Sequence, residues 1–295
     1  QFHHVLSDLI RSIGFYFMDN EYYFKRNEPY GHFDDGEIFS FFSRGVLESI
    51  KHIDNFIPDV IHCNDWHTGM VPVLLDAFYR YDVRFQNIKT VYTIHNLKYQ
   101  GIFSKTVLSE LLGLDDSYFT EDKLKFYDAI SFMKGGIIYS DIVNTVSQSY
   151  ADEIRTPYYG ENLDGLLNGI SGKLYGIVNG IDHDAYNPRR DKNIPKTFGL
   201  TTMKNKLVNK AELQKQLGLP VDKDIPVIGL VSRLVSQKGL DLIKGVIEEI
   251  LNLDMQLVIL GTGDQAYEDL FEYYSHIYPK KLSSNIGFSD KLAKL

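Results

Sequence analysis

From about residue 56 onward, short apolar runs alternate with stretches of helical spacing, and this alternation constrains the fold more than any other feature. Residues 59–63, 88–94, 142–146 and 173–178 read as strands. Residues 70–81, 123–139 and 150–155 read as helices, the last capped by Ser147. A second series follows: helix 203–217, strand 225–231, helix 240–253, strand 256–260, helix 265–278 and a strand-like stretch at 284–288. Strands separated by helices predict parallel sheets, because a parallel pair needs a long crossover that a helix supplies. The expected fold is α/β, with two doubly wound Rossmann-like domains. The first covers 1–178 and the second 203–295. The segment 179–202, rich in Asn, Asp, Pro and Lys and containing Pro188 and Pro195, reads as a linker. No first strand is identifiable before this series, and the chain stops just after 284–288, so both domains are expected to be incomplete.

Composition narrows the class. A 44% hydrophobic content with 24% charged residues describes a soluble globular chain, and its apolar runs are too short to span a bilayer. Gln1-Phe2-His3-His4 shows neither an initiator Met nor a secretory signal. Cys63 is the sole cysteine, which rules out an intrachain disulfide and fits a reducing cytoplasm. The net charge of −8, with no basic cluster against it, argues against a nucleic-acid surface. An anionic ligand would have to be held by local cations.

Two such cations stand out. In Leu230-Val231-Ser232-Arg233-Leu234-Val235-Ser236-Gln237-Lys238-Gly239-Leu240, Arg233 and Lys238 fall on a strand-to-helix turn. Ligands of open α/β sheets bind at the carboxyl ends of strands, and a helix amino terminus adds roughly half a positive charge. The pair therefore suits a phosphate or diphosphate; the plainer alternative is two solvated loop cations. Farther upstream, Asn64-Asp65-Trp66-His67-Thr68-Gly69 also joins a strand to a helix, and the next strand ends in Thr93-Ile94-His95-Asn96. Asp65, His67 and His95 would then face one crevice. They could hold zinc, but no tight ligand spacing such as HExxH is present, and no GxSxG elbow supplies a hydrolase nucleophile. A neutral sugar hydroxyl is well served by a carboxylate, imidazoles and a Trp face. Lys134-Gly135-Gly136 resembles a phosphate loop superficially, but it lies in a helical pattern, where close packing explains the glycines better. Asn179, in Val178-Asn179-Gly180-Ile181-Asp182, is a turn residue or a ligand donor. Gly261-Thr262-Gly263-Asp264 is a tight turn suited to approach a nucleotide, a weak signal on its own. No GxGxxG follows a strand with an acidic residue about 20 positions on, which ranks a dinucleotide oxidoreductase last.

Together these segments resemble the bacterial glycogen synthase and plant starch synthase family. The matches are His62-Cys63-Asn64-Asp65-Trp66-His67, Thr93-Ile94-His95-Asn96-Leu97-Lys98-Tyr99-Gln100-Gly101, Val178-Asn179-Gly180-Ile181-Asp182 and Ser232-Arg233-Leu234-Val235-Ser236-Gln237-Lys238-Gly239-Leu240-Asp241. Residues 19–24, 126–153 and 159–167 also look like family segments. The resemblance implies the GT-B glycosyltransferase fold, with its active site in the cleft between domains. It implies transfer of glucose from ADP-glucose, or alternatively UDP-glucose, to the non-reducing end of an α-1,4-glucan with retention at the anomeric carbon. On that reading Arg233 and Lys238 hold the donor diphosphate, and His95 and Asp65 contact sugar hydroxyls near the reacting centre. Asn179, Gly261 and Gly263 belong to the donor site. Tyr30 after Pro29, with Asn96, Trp66 and His67, belongs to the sugar side, Trp66 and His67 as supports of the loop. No metal or cofactor is expected, and no nucleic acid or membrane partner.

Two departures accompany the resemblance. The family's amino-terminal Lys-X-Gly-Gly-Leu loop has no counterpart, and its carboxyl-terminal Glu-containing segment would lie beyond Leu295. The chain is therefore expected to be an internal fragment with little or no transfer activity by itself. The competing readings are another GT-B nucleotide-sugar enzyme and a non-catalytic glucan-binding module.

Overall fold

The computed structural model describes residues 14–295 and, as backbone only, residues 2–6. Two compact units divide the chain, Gln1–Gly180 and Ile181–Leu295.

In the first unit, β1 (Phe2–Leu6) pairs antiparallel with β2 (Gly14–Met18). A single turn, α1 (Glu21–Phe24), follows; the Asn20 side chain caps it by accepting the Tyr23 N–H at 3.1 Å. Next comes α2 (Asp35–Ile50), which buries Ile38, Phe39, Leu47 and Ile50. The alternating series then begins with β3 (Val60–Asn64), α3 (Met70–Leu74, continued by a wider helical turn over Leu75–Tyr79) and β4 (Lys89–Ile94). Short strands β5 (Ile102–Ser104), β6 (Lys125–Phe126) and β7 (Ala129–Ser131) precede α4 (Phe132–Tyr139). The unit closes with β8 (Ile142–Thr145), α5 (Gln148–Glu153), α6 (Asp164–Gly169) and β9 (Leu174–Gly176). Its main sheet has the order β3-β4-β8-β9, parallel throughout. Met70, Val73, Leu74, Tyr92, Ile94, Phe132, Met133 and Ile137 are fully buried in its core.

Helix packing here depends on absent side chains. A Cβ at Gly136 would fall within the Tyr92 ring, and one at Gly135 would strike Met70. Lys134 belongs to the same packing: its ammonium donates to the carbonyls of Glu121 and Lys125, at 2.7 and 2.6 Å. The glycine pair is thus a close-packing device, as its helical context implied.

The structure departs from the sequence reading in two places in this unit. The helix read over 123–139 starts only at Phe132, where the Ser131 hydroxyl caps it by accepting the Lys134 N–H at 3.1 Å. Upstream, Tyr127 turns the chain at φ +54°, and β7 pairs antiparallel with both β5 and β6. Ile130 is fully buried as the partner of Phe103 in that pairing, so tertiary contact overrides local helical periodicity. In addition, an antiparallel pair and α2 precede the series, where the sequence shows no identifiable strand.

The second unit carries α7 (Lys206–Gln216), β10 (Val227–Val231), α8 (Leu240–Asn252), β11 (Gln256–Gly261), α9 (Gln265–Ile277), β12 (Leu282–Ile286) and α10 (Asp290–Lys294). Its sheet is parallel in the order β10-β11-β12. Leu234, Leu240, Ile259 and Phe271 are fully buried in its core. The proline-bearing segment before α7 is tied to that helix. The Asn209 amide accepts the Lys196 N–H at 2.8 Å and donates to the Lys196 carbonyl at 2.9 Å. Among the described residues no helix is long and apolar enough to cross a membrane.

Candidate active site

The parallel sheet of the first unit brings the ends of β3 and β4 side by side, and Asp65 joins them. Its N–H donates to the Thr93 carbonyl at 3.0 Å. Its Oδ1 accepts the backbone N–H of His95 at 2.8 Å and that of Asn96 at 3.4 Å. To do so the residue adopts φ +55° and ψ −178°, a region almost reserved for glycine. Such strain costs on the order of 1–3 kcal/mol and persists only where surrounding contacts impose it. The His95 ring is also held: its Nε2 lies 2.9 Å from Asn64 Oδ1. An amide oxygen only accepts, so Nε2 is the donor in this contact and Nδ1 is left without a partner among the described residues. The Thr68 hydroxyl bridges the Asn64 N–H and carbonyl, at 2.7 and 2.9 Å, and fixes that turn.

An aromatic stack adjoins the clamp. Trp66 is buried and lies against His67 at 4.1 Å with planes 28° apart. Gly101, at φ +58°, passes so close to the indole that a Cβ there would collide with it. Phe39 packs edge-on to both rings at 4.8 Å. Tyr30, 44% exposed, also packs on His67, tilted to it at 5.0 Å. The loop that presents Tyr30 is pinned from below. Asp35 accepts the N–H groups of Gly31 and His32 at 2.7 and 3.2 Å, and Arg26 holds Asp34 through two bonds of 2.7 and 2.6 Å. His67 Nε2 is buried without a hydrogen-bond partner. Burial lowers the pKa of this imidazole below its ordinary 6.5, outweighing the opposing fields of Asp65 and Asp35, so the ring is neutral at pH 7.

This geometry separates the three residues a zinc reading would need. The Asp65 carboxylate is engaged with amides, His67 is enclosed by aromatic rings, and His95 faces Asn64. Among the described residues no group of three or more His, Cys, Asp or Glu is arranged to hold a metal ion. Tyr30, Asp65, Trp66, His67, His95 and Asn96 instead form one continuous patch. Exposed Asn179 lies beyond β9, at the same edge of the sheet but two strands away from β4.

In the second unit Arg233 follows β10 and Lys238 closes the short turn Ser236–Lys238 before α8. Gly239, at φ +73°, makes the entry into that helix. Both cations are exposed, and among the described residues neither has a hydrogen-bond or ion-pair partner. The backbone around Arg233, by contrast, is fixed. Ser232 N–H donates to Leu260 O at 3.1 Å, and Leu234 N–H to Thr262 O at 2.9 Å. The Asp264 N–H returns to Leu234 O at 2.8 Å. Gly261 and Gly263 are what permit this: a Cβ on either would collide with the carbonyls of Ser232 and Leu234. A cavity of about 220 Å³ opens beside Arg233, Gly261, Thr262 and Phe288. Sequence reasoning picked out the cations and the glycines. It missed Asn64, Asp35 and the Arg26–Asp34 pair, whose only sequence signals are acidic residues at the start of a helix and an Asn ending a strand.

Residues 1–169 match the family model described as the starch synthase catalytic domain. The chain belongs to that family. The glycogen synthase of Clostridium acetobutylicum is 58% identical over 282 residues, covering 96% of this chain and 59% of its own length. The glycogen synthase of Caldicellulosiruptor bescii is 56% identical over 283 residues with the same two coverages. Among solved structures, the catalytic domain of starch synthase IV from Arabidopsis thaliana, bound to ADP and acarbose, aligns with a TM-score of 0.88 at 34% identity. It too is matched over 96% of this chain and 59% of its own. The chain thus spans somewhat under two thirds of the length of the relatives it matches. The expected fold class, α/β with Rossmann-like parallel sheets of the GT-B type, is borne out.

Proposed function

We propose that this starch synthase family chain serves retaining transfer of glucose from ADP-glucose to the non-reducing end of an α-1,4-glucan. The observation that carries the reading is the pair of unpartnered cations, Arg233 and Lys238, at the carboxyl edge of a parallel sheet beside the amino terminus of α8. In the reaction the bond between the glucose C1 and the diphosphate oxygen breaks. A bond from C1 to the acceptor 4-hydroxyl oxygen forms, and the acceptor proton leaves with the departing phosphate. Negative charge grows on the diphosphate as it departs. Arg233 presents a planar fork to two phosphate oxygens, and Lys238 a point charge. Cations already in place stabilise that charge without reorganisation at the moment of reaction.

The first unit supplies the sugar-binding groups. Asp65 Oδ1 is occupied by amides, which leaves Oδ2 as an acceptor for a hydroxyl. His95 offers its ring Nδ1 and its carbonyl, Tyr30 an exposed aromatic face, and Asn96 and Asn179 polar donors. Trp66 and His67 hold the loop and Tyr30 in place. No metal or cofactor enters the proposal; the nucleotide sugar is a substrate. The names of the relatives and the ADP and acarbose carried by the starch synthase IV structure support this choice of donor and acceptor. A cytoplasmic setting accords with the lone buried Cys63.

Calorimetric titration with ADP, ADP-glucose and maltoheptaose tests the reading. Arg233→Ala is expected to weaken ADP and ADP-glucose alike, whereas Asp65→Ala weakens only the increment that glucose adds over ADP. Maltoheptaose binding with no measurable affinity for either nucleotide would instead make the chain a glucan-binding module.

A further inference from the structure

We propose that Glu268 is a positioning residue for the Arg233 cation, acting through the Gly261–Asp264 turn. The inference rests on the reading of Arg233 as a diphosphate ligand. Glu268 lies in the first turn of α9, one element after the turn it reaches back to. A single oxygen, Oε1, accepts both the Thr262 hydroxyl at 2.5 Å and the Gly263 N–H at 2.7 Å. Bonds to an ionised acceptor are roughly twice as strong as neutral ones. Those same two bonds hold the Glu268 carboxyl below the usual range for glutamate, so it stays ionised at neutral pH.

From the turn the constraint passes directly to the cation. Thr262 O accepts Leu234 N–H, and Leu234 O accepts Asp264 N–H. Leu234 is fully buried, so its backbone has little freedom of its own. On the other flank Ser232 is bonded to Leu260 and lies against the bare face of Gly261. Arg233 is therefore held between two anchored neighbours, and only its side chain is free to move. With Glu268 removed, Thr262 and Gly263 lose the acceptor that sets the orientation of the turn. The two bonds from the turn to Leu234 then have no fixed frame. Glu268 bonds Thr262 and Gly263 of the turn and has no bond to Arg233, so its influence on the cation passes through the backbone that joins the turn to Leu234.

The test uses the purified 295-residue chain, with Glu268→Ala, Glu268→Gln and Arg233→Ala. Amide hydrogen exchange at Leu234, Gly263 and Asp264 reads the turn, and calorimetric titration with ADP reads the site. Glu268→Ala, which removes both bonds to the carboxylate, is expected to speed exchange at these three amides at least about tenfold, and to weaken ADP by a similar factor. Exchange in the β11 strand should not change. Glu268→Gln keeps an acceptor oxygen and should restore most of both. Unchanged exchange at Leu234 and Asp264 in Glu268→Ala overturns the proposal. So does faster exchange with ADP affinity intact, in a chain where Arg233→Ala weakens ADP. An Arg233→Ala chain that binds ADP as tightly as the parent defeats the underlying donor reading instead, and the exchange data then decide the hold on the turn alone.

Discussion

The carboxylate of Asp65 accepts the backbone N–H of His95 at 2.8 Å. The residue just past one strand thus sets the geometry of the residue just past the next. A side chain that looks like a ready-made sugar ligand is half committed to structure, and its strained backbone at φ +55° is the cost of that arrangement. The same two-layer pattern recurs in the second unit, where Glu268 fixes a turn and the turn fixes the neighbours of Arg233.

Substitutions at Asp65 should separate strain from bonding. Asp65→Ala and Asp65→Gly both remove the acceptor for the His95 and Asn96 amides, but only glycine adopts φ +55°, ψ −178° without cost. Asp65→Gly is therefore expected to be more stable than Asp65→Ala by about 1–3 kcal/mol in urea denaturation. Both should lose the glucose-dependent part of donor affinity. Equal stabilities would show that the backbone at Asp65 carries no strain.

His67 makes stability depend on pH. Its pKa is lowered by burial, so between the folded value and the ordinary 6.5 the unfolded chain binds more protons than the folded one. Stability contributed by the neutral ring is full above pH 6.5 and is lost as pH falls through the interval below it. His67→Phe preserves the packing between Trp66 and Tyr30 without a titrating group. The difference in urea midpoint between parent and His67→Phe should shift against the parent on going from about pH 7.5 to about pH 5.5. A pH-independent difference would contradict the assignment.

Two glycines should respond oppositely to alanine. A Cβ at Gly136 enters the Tyr92 ring, and overpacking of this kind costs about 1–3 kcal/mol. At Gly165, in α6, a Cβ meets nothing within 4 Å. Gly165→Ala should leave stability unchanged or raise it by up to about 1 kcal/mol. Thermal melts of the two variants give the comparison.

Much of the parallel framework is readable from local sequence, because its strands are short apolar runs between helical patterns, the clearest being Gln256–Gly261, which is buried on both faces. The antiparallel strands around Ile130 are not. They are two or three residues long, and their pairing with Ile102–Ser104 is set by distant chain, leaving no period to detect. Helix α2 escapes for another reason: Phe39, Phe41 and Phe42 favour strands, while Gly36 and Gly45 weaken a helix. The need for those glycines is visible only in three dimensions, where Gly45 lies against Met18 and Gly36 against Phe103. At the site, the chemistry of Asp65, His95 and Arg233 is legible because each falls just beyond a strand, and that of Lys238 because it closes the turn into a helix. Their supports are not, since Asn64 acts by a side-chain contact from one strand end to the next, and Asp35 and Glu268 by bonds to backbone amides, none of which a spacing rule encodes.

The central claim is that Arg233 and Lys238 hold a nucleoside diphosphate. Calorimetric titration of ADP into the parent chain, Arg233→Ala and Lys238→Ala tests it most directly, at low and at raised salt. Loss of a hydrogen bond to a charged group is worth about 1.5–3 kcal/mol, so each variant should bind ADP about 10- to 150-fold more weakly, with a reduced dependence on salt. Unchanged ADP affinity in both variants would contradict the account and return the pair to the status of solvated loop cations.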